Sequence, residues 1–460
     1  MRELRVSVVG LGKLGASMAA ALAGRGHHVV GVDVDPRAVE AVRSGRAPVH
    51  ETGLEELIAA NRERLTATTE FTDAIQNSNL TFVIVPTPTD ERGGFSLRYA
   101  ADAFREIGRA LARKSSYHTV VLTSTVLPGA SRTALIPVLE QFSGRRCGAD
   151  FGFCYSPEFV ALGTVIRDFL NPDFLLVGEF DERSGRTLAD HYEAIVTNRA
   201  PIARMSIENA ELAKISLNAY VTMKITFANM LADICERLPG GDVDAVSNAI
   251  GLDSRIGRRY LTGGLGFGGP CFPRDNVALA FFASSLGVHS ELPVTTHQLN
   301  QRIPGRITDL IASLAPAGAT IAVLGLSYKP ASHVVEESQG VDIVEALVTR
   351  GYRVAAFDPL AGGEARRELG ERARIVESIA ECVEGADVVV VANPDPAFAS
   401  LEPRDFARSK QPVTVVDTWR VLARSLDGAP GIVYVARGRG DHAPERTDAL
   451  ARLWTTPLNP

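Results

Sequence analysis

Short continuous apolar runs recur along the chain, each stopped by glycine or a polar turn and followed by residues at helical spacing. That pattern marks parallel strands buried on both faces. RVSVVG (5–10) opens the series, followed by GLGKLG (10–15), the alanine-rich SMAAALAGRG and then HHVVGVDVD (27–35). LTFVIVPTPTD (80–90) and HTVVLTSTVLPG (118–129) read as further strands, each running into a small, proline-bearing polar loop. Between 206 and 238 the pattern changes: no glycine or proline interrupts the chain before Pro239. This predicts one helix of about 30 residues, roughly 45 Å long, capped by Ser206. A third section repeats the first, with TIAVLGLSYKP (320–330), a helical EESQGVDIVEALVTRG, YRVAAFDP (352–359), ADVVVVANP (386–394) and PVTVVDTWR (412–420). LAGRGHHVVGVDVDP and LVTRGYRVAAFDP echo one another, which implies two sandwiches of similar plan. The expected fold is α/β, with two Rossmann-like doubly wound domains, 1–204 and 304–460, joined by a helical central domain, 205–303, that carries the long helix. The stretch between Asp90 and Leu111 has no assignment, and the tail after Gly438 reads as polar, then a short helix.

The 460 residues suit two or three domains, and 45% hydrophobic with 22% charged residues is globular. Against 54 acids stand 48 lysines and arginines, a net charge of −6, which does not mark a nucleic-acid-binding chain. Five scattered cysteines without a CxxC imply no disulfide framework, a reducing compartment and no metal site. The amino terminus enters a strand directly, without signal-peptide architecture, and no apolar run is long enough to span a bilayer. A cytoplasmic protein, without membrane or nucleic-acid partners, is expected.

Strand, GxGxxG turn, helix, strand and acid together form a dinucleotide site. Gly10, Gly12, Lys13, Leu14 and Gly15 bring the backbone and the helix terminus to a pyrophosphate, and Asp33 accepts the ribose hydroxyls. Asp33 would repel the 2′-phosphate of NADP, so NAD is the expected cofactor. Thr87, Pro88, Thr89, Ser124 and Thr125 follow strand carboxyl ends and belong to the same face. GLSYKP lacks the motif, so no second dinucleotide site is expected; a nucleotide contacted by Lys329 fits better. In LTGGLGFGGPCFPRD (261–275), five glycines and two prolines predict a rigid loop, neither helix nor strand. Such a loop displays Cys271 to a ligand, with neighbouring amides to stabilise a thiolate or oxyanion and Asp275 to take a proton. A nicotinamide cofactor with a nucleophilic cysteine points to oxidation at the aldehyde level through a thiohemiacetal and a thioester. Glu211, Lys214 and Asn218 share one helix face. Lys214 can stabilise an alkoxide, although spacing alone reads it equally as a solvated lysine.

With these motifs in this order, together with PTPT (86–89), STVLPG (124–129), SPEF (156–159), AELAKISLNAY (210–220), DSRIG (253–257) and FDP (357–359), nearly the whole chain resembles the nucleotide-sugar dehydrogenases of the UDP-glucose and GDP-mannose type. The resemblance implies a four-electron oxidation of a hexose C6 to the carboxylate with two NAD reduced in turn. It makes Cys271 the nucleophile and Asp275 its proton partner. Lys214 becomes the oxyanion-stabilising lysine and Asn218 an amide donor to the sugar. Thr125 and Glu158 hold the catalytic water, with Glu158 as base. Phe159, Arg255, Tyr260, Leu261, Gly268 and Lys329 fall at nucleotide or sugar contacts, Arg255 across a dimer. It also implies a homodimer or higher oligomer built on the long helix. Departures from the family pattern are Leu162 in place of a cofactor-side glutamate, Arg274 for lysine, Glu336 for arginine, Thr262 for lysine or asparagine, and Asp417-Thr418-Trp419-Arg420 for Asp-Gly-Arg, leaving Arg420 as the candidate cation. They bear on which sugar is oxidised: UDP-glucose leads, before UDP-N-acetylhexosamines and GDP-mannose. Two rivals stand beside this reading, a two-electron β-hydroxyacid dehydrogenase, which needs no Cys271, and a catalytically silent nucleotide-sugar sensor.

Overall fold

A computed structural model describes residues 4–441 and 451–452; most of the tail after Gly438, where the sequence predicts a short helix, lies outside them. The first sheet is built from β1 (Arg5–Val9), β2 (His28–Val32), β3 (Leu65–Thr68), β4 (Leu80–Val83), β5 (Thr119–Leu122), β6 (Gly152–Tyr155), β7 (Leu175–Glu179) and β8 (Ile202–Ser206), in the order 3-2-1-4-5-6-7-8. The second contains β9 (Thr320–Leu324), β10 (Arg353–Phe357), β11 (Arg374–Ile375), β12 (Val388–Val391), β13 (Val413–Asp417) and β14 (Ile432–Ala436), in the order 11-10-9-12-13-14. Pairing is parallel except between β6 and β7. Each sheet reverses its winding once, between β1 and β4 and between β9 and β12. These are the switch points at which doubly wound sheets open a crevice for ligands.

The chain forms two compact units, one of Met1–Leu217 with Phe281–Gly287, the other of Asn218–Ala280 with Val288–Pro460. In the first, Val6, Val8 and Phe82 pack against the helix Lys13–Gly24, whose run of alanines permits close approach to the strands. The opposite face carries Val9, Phe104, Phe153 and Tyr155. In the second unit, Ile321 and Val323 face one apolar layer, and Ala322 and Leu324 the other.

The predicted strands are present, each ending before its polar loop. The long helix spans Ile207–Cys235, 29 residues, with the Ser206 hydroxyl accepting from the Asn209 amide at 3.4 Å. Two findings alter the sequence reading. The unassigned stretch before Leu111 holds a 15-residue helix, Arg98–Ala112, that buries Ala100, Ala103, Phe104, Ile107 and Leu111 on one face. Its N-cap is Leu97, which offers no side-chain oxygen, so the usual start signal is missing. The second is a correction: the cysteine loop ends at Cys271, and the helix Phe272–Ser285 begins there. Pro273 sits in its first turn, where no amide is needed for the helix ladder.

Candidate active site

The glycine turn after β1 is fixed by contact. Gly10 has φ +95°, and a Cβ there would lie 2.0 Å from the Ile84 carbonyl oxygen; one on Gly15 would lie 1.8 Å from the Gly10 oxygen. Gly12 is different, because a Cβ there would meet nothing within 4 Å. It is the N-cap of Lys13–Gly24, with no side-chain cap and no acid in the first turn, so the helix amides are left to an anion. Asp33 accepts from the Leu11 amide at 2.6 Å and from Asp35 at 2.8 Å, which ties the turn to β2 and still leaves carboxylate lone pairs for ribose hydroxyls. The residues therefore fit a dinucleotide. Lys13 and Leu14, both partly exposed, occupy the first helical positions. Beyond β4 and β5 the loops are stitched together: the Ser124 hydroxyl bonds both the amide and the carbonyl of Val85, and Thr87 Oγ1 donates to the Thr125 carbonyl at 2.7 Å. Pro88 is exposed beside the buried Thr87. Asp33→Ala is expected to weaken NAD binding about 10- to 100-fold, the loss of one or two charge-assisted hydrogen bonds, and to narrow the preference over NADP. Titration with both cofactors measures each effect.

A second group lies in the same unit. Lys214 Nζ donates to the Glu158 carbonyl at 2.7 Å and stands 4.3 Å from the Phe159 ring centre. The residue Glu158 as a whole is partly exposed, yet its Oε1 is buried and makes no hydrogen bond among the described residues. Burial pushes the Glu158 carboxyl up to about 7, against the lowering effect of the Lys214 ammonium. A carboxyl so placed changes protonation near neutrality, the condition for a general base. One turn before Lys214, the buried Glu211 accepts from the Gly129 amide at 2.6 Å and Ser131 at 3.0 Å. It thereby secures the end of the loop that carries Thr125. The helical spacing places Glu211 on this face but does not show its partners; the signal for them is the glycine-ended loop, whose amides need an acceptor.

In the other unit, Cys271 occupies the N-cap position: its carbonyl accepts the Asp275 amide at 2.9 Å. Its thiol-bearing residue is exposed, whereas Cys147, Cys154, Cys235 and Cys382 are buried, and no disulfide forms. Burial pushes the Cys147 and Cys382 thiols up to about 12, which makes them inert. The expectation that the surrounding glycine amides serve an anion is corrected. Gly266 donates to Gln339 Oε1 at 2.8 Å, Phe267 to Asn300 Oδ1 at 2.8 Å, and Gly269 to the Glu336 carbonyl at 3.0 Å. Those amides hold the loop in place, and the first turn of Phe272–Ser285 supplies the N–H groups that lack a helical partner. Asp275 is wholly buried and accepts from Asn218 Nδ2 at 2.6 Å. Asn218 thus commits one N–H to Asp275 and keeps one, and Thr222 with Asn276 repeats the bond at 2.9 Å one turn on.

The remaining candidates belong to the same second unit. A Cβ on Gly268 would lie 2.1 Å from the Glu337 oxygen, and Tyr328 packs on Gly269 while Lys329 Nζ stands 5.8 Å from the Tyr328 ring centre, so the cysteine loop and the 325–338 loop adjoin. Tyr260 is half-exposed at φ +66°, and Leu261 is buried. Arg255 is exposed and forked onto Asp253 at 2.6 Å. Arg420 is buried, pairs with Asp244 at 2.7 and 3.0 Å, and donates to the Thr262 carbonyl at 2.9 Å and the Arg437 carbonyl at 2.9 Å. The structure places it as a clamp on the 261–265 loop. Trp419 lies over Gly264.

A dinucleotide turn of this form at the switch point of a doubly wound sheet places the chain among the dinucleotide-binding proteins. Residues 4–196 match the NAD binding domain of the UDP-glucose/GDP-mannose dehydrogenase family, 208–302 its central domain and 322–424 its UDP binding domain. The chain belongs to that family. UDP-glucose 6-dehydrogenase AglM of Haloferax volcanii is 36% identical over 425 residues, covering 92% of this chain and 98% of the relative. GDP-mannose 6-dehydrogenase of Azotobacter vinelandii is 34% identical over 445 residues, covering 94% and 100%. The solved UDP-glucose dehydrogenase of Pyrobaculum islandicum matches with a TM-score of 0.86 at 34% identity, over 95% of this chain and 98% of that one. No helix among the described residues is long and apolar enough to cross a membrane.

Proposed function

We propose that the protein oxidises the C6 hydroxymethyl of UDP-glucose to the carboxylate of UDP-glucuronate in two NAD-dependent steps. The domain 1–204 would hold the cofactor, 205–303 the lysine and cysteine, and 304–460 the nucleotide. Bound NAD accepts the hydride of each oxidation. The C6 hydroxyl gives up its proton to solvent, Lys214 and the free N–H of Asn218 stabilise the alkoxide that remains, and the first hydride leaves from its carbon. Cys271 then adds to the aldehyde carbon, and loss of the second hydride from the thiohemiacetal leaves a thioester. Glu158 takes a proton from water held with Thr125, hydroxide attacks the thioester carbon, and the C–S bond breaks to return the thiol and the acid. Asp275, held by Asn218, takes the proton of the Cys271 thiol as it adds and returns it when the C–S bond breaks.

The observation that carries this reading is the buried Oε1 of Glu158 with its carboxyl near 7, since hydrolysis of a thioester needs a base at neutral pH and the rival two-electron chemistry does not. Whole-chain likeness to UDP-glucose dehydrogenases supports the sugar, with GDP-mannose and UDP-N-acetylhexosamines as the alternatives. Self-association through the long helix is part of the proposal, supported by exposed Tyr220, Phe227, Met230 and Ile234 along it. NADH formed per limiting nucleotide sugar tests the function. Two from UDP-glucose are expected; one would remove the role of Cys271, and none from UDP-glucose, UDP-N-acetylglucosamine, UDP-galactose or GDP-mannose, with NAD still bound, would favour the silent sensor or an untested sugar.

A further inference from the structure

The segment 156–164, which carries Glu158, is irregular and leads into the helix Val165–Leu170. Its near end is fixed by Ser156, whose hydroxyl donates to the Leu176 carbonyl at 2.8 Å and meets the Tyr192 hydroxyl at 2.7 Å. Its far end is fixed from another part of the chain. Glu51 is buried, and its two carboxylate oxygens accept from the Gly163 amide at 2.9 Å and the Val165 amide at 3.1 Å. Asp168 adds a bond from Thr164 Oγ1 at 2.6 Å and one from the Ala161 amide at 3.3 Å. Between the anchors Val160 packs on the core and the Phe159 ring meets Phe174 at 4.8 Å, and the segment reaches the long helix through the Glu158 carbonyl and the Phe159 ring, both on Lys214 Nζ.

We propose that Glu51 is a positioning residue for Glu158: by holding both amides at the end of the 156–164 segment it keeps the Glu158 carbonyl on Lys214 and the Glu158 carboxyl out of solvent. The inference rests on the reading of Glu158 as the base. A buried carboxylate accepting two amides is a firm, charge-assisted anchor, and without it the segment gains the freedom to let water reach the carboxyl. The charged and titratable groups facing Glu158 are Lys214 on the long helix and Tyr192 on the helix Glu182–Ile195. Neither is moved by a change at Glu51 except through the segment itself. Position governs rate steeply here: a displacement of about 1 Å costs on the order of 10²-fold.

The test compares wild type, Glu51→Gln and Glu51→Ala as full chains. A rapid-mixing burst of NADH, the steady-state rate from pH 5 to 9, and thermal melting are read for each. Glu51→Gln keeps the volume and one acceptor oxygen, and carries the test should the alanine chain not fold. The expected result is a retained burst and a steady-state rate about 10²-fold lower, with the limb near pH 7 moved down toward the ordinary carboxylate range as Glu158 hydrates. A rate within threefold of wild type with the limb unmoved would overturn the proposal. So would a slower rate with an unmoved limb and a lowered melting temperature, since that describes a structural role alone. Failure of the underlying reading has its own signature, a Glu158→Gln chain with wild-type rate and limb.

Discussion

Cys271→Ser is expected to lower formation of the acid by about 10³-fold or more, while NAD and nucleotide-sugar binding stay within a few-fold of wild type. A hydroxyl is a far weaker nucleophile than a thiolate at neutral pH, and its ester would be a poorer partner for hydrolysis than a thioester. The substitution removes little else. Cys271 is exposed at the start of a helix, its contribution to the ladder is a carbonyl that serine also has, and the melting temperature should not move. Quenched reactions analysed by mass spectrometry for aldehyde and acid decide the matter. Acid formed at the wild-type rate would sink the thiol mechanism, whatever the substrate.

Glu158→Gln should slow steady-state turnover by about 10²- to 10⁴-fold, the range for loss of a general base. It should leave a first burst of two NADH per active site, because both hydrides depart before water is needed. The adduct left on the Cys271 peptide would be visible by mass spectrometry. The pH dependence follows from the raised carboxyl. Below about 7 the folded protein holds Glu158 protonated, unable to accept a proton, so hydrolysis rises with pH through that value and levels off above it. Glutamine has no such limb. A variant that kept both the limb and the rate would assign the base elsewhere.

Most of the scaffold could be read from the chain because its strands are continuous apolar runs, and such runs have few alternatives when glycine turns and helical spacing flank them. Arg98–Ala112 escaped because Leu97 caps nothing and the preceding loop blurs its start. The sequence of Phe272–Ser285 reads as loop up to Asp275 because Pro273 looks like a breaker, although in a first turn it breaks nothing. Legibility fell further at the site. Cys271, Lys214 and Glu158 stand in recognisable motifs, but what holds them comes from residues distant in sequence. Glu51 lies more than a hundred positions from the amides it accepts. Gln339 and Asn300, polar residues without an obvious task, fix the cysteine loop. Arg420 reads in sequence as a cation for the nucleotide, and the structure engages it with Asp244 and two carbonyls. One-dimensional spacing carries no trace of such pairings.

The second sheet contains its own version of the glycine turn. A Cβ on Gly340 would lie 2.2 Å from the Gly325 oxygen, the same close approach that joins Gly15 to Gly10, but with the 326–339 segment inserted between. Asp358, where β10 ends, accepts from the amides of Leu326, Ser327, Leu360 and Ala361 and from the Ser327 hydroxyl. Its counterpart Asp33 keeps capacity for a ribose; Asp358 has none left. The inserted segment forms a ledge, on which Gly266 and Gly269 rest through Gln339 and Glu336. A consequence for engineering is that its length is not free. Trimming it to a short glycine turn would not create a dinucleotide site, since the acid is saturated, and would remove the support beneath the nucleophile.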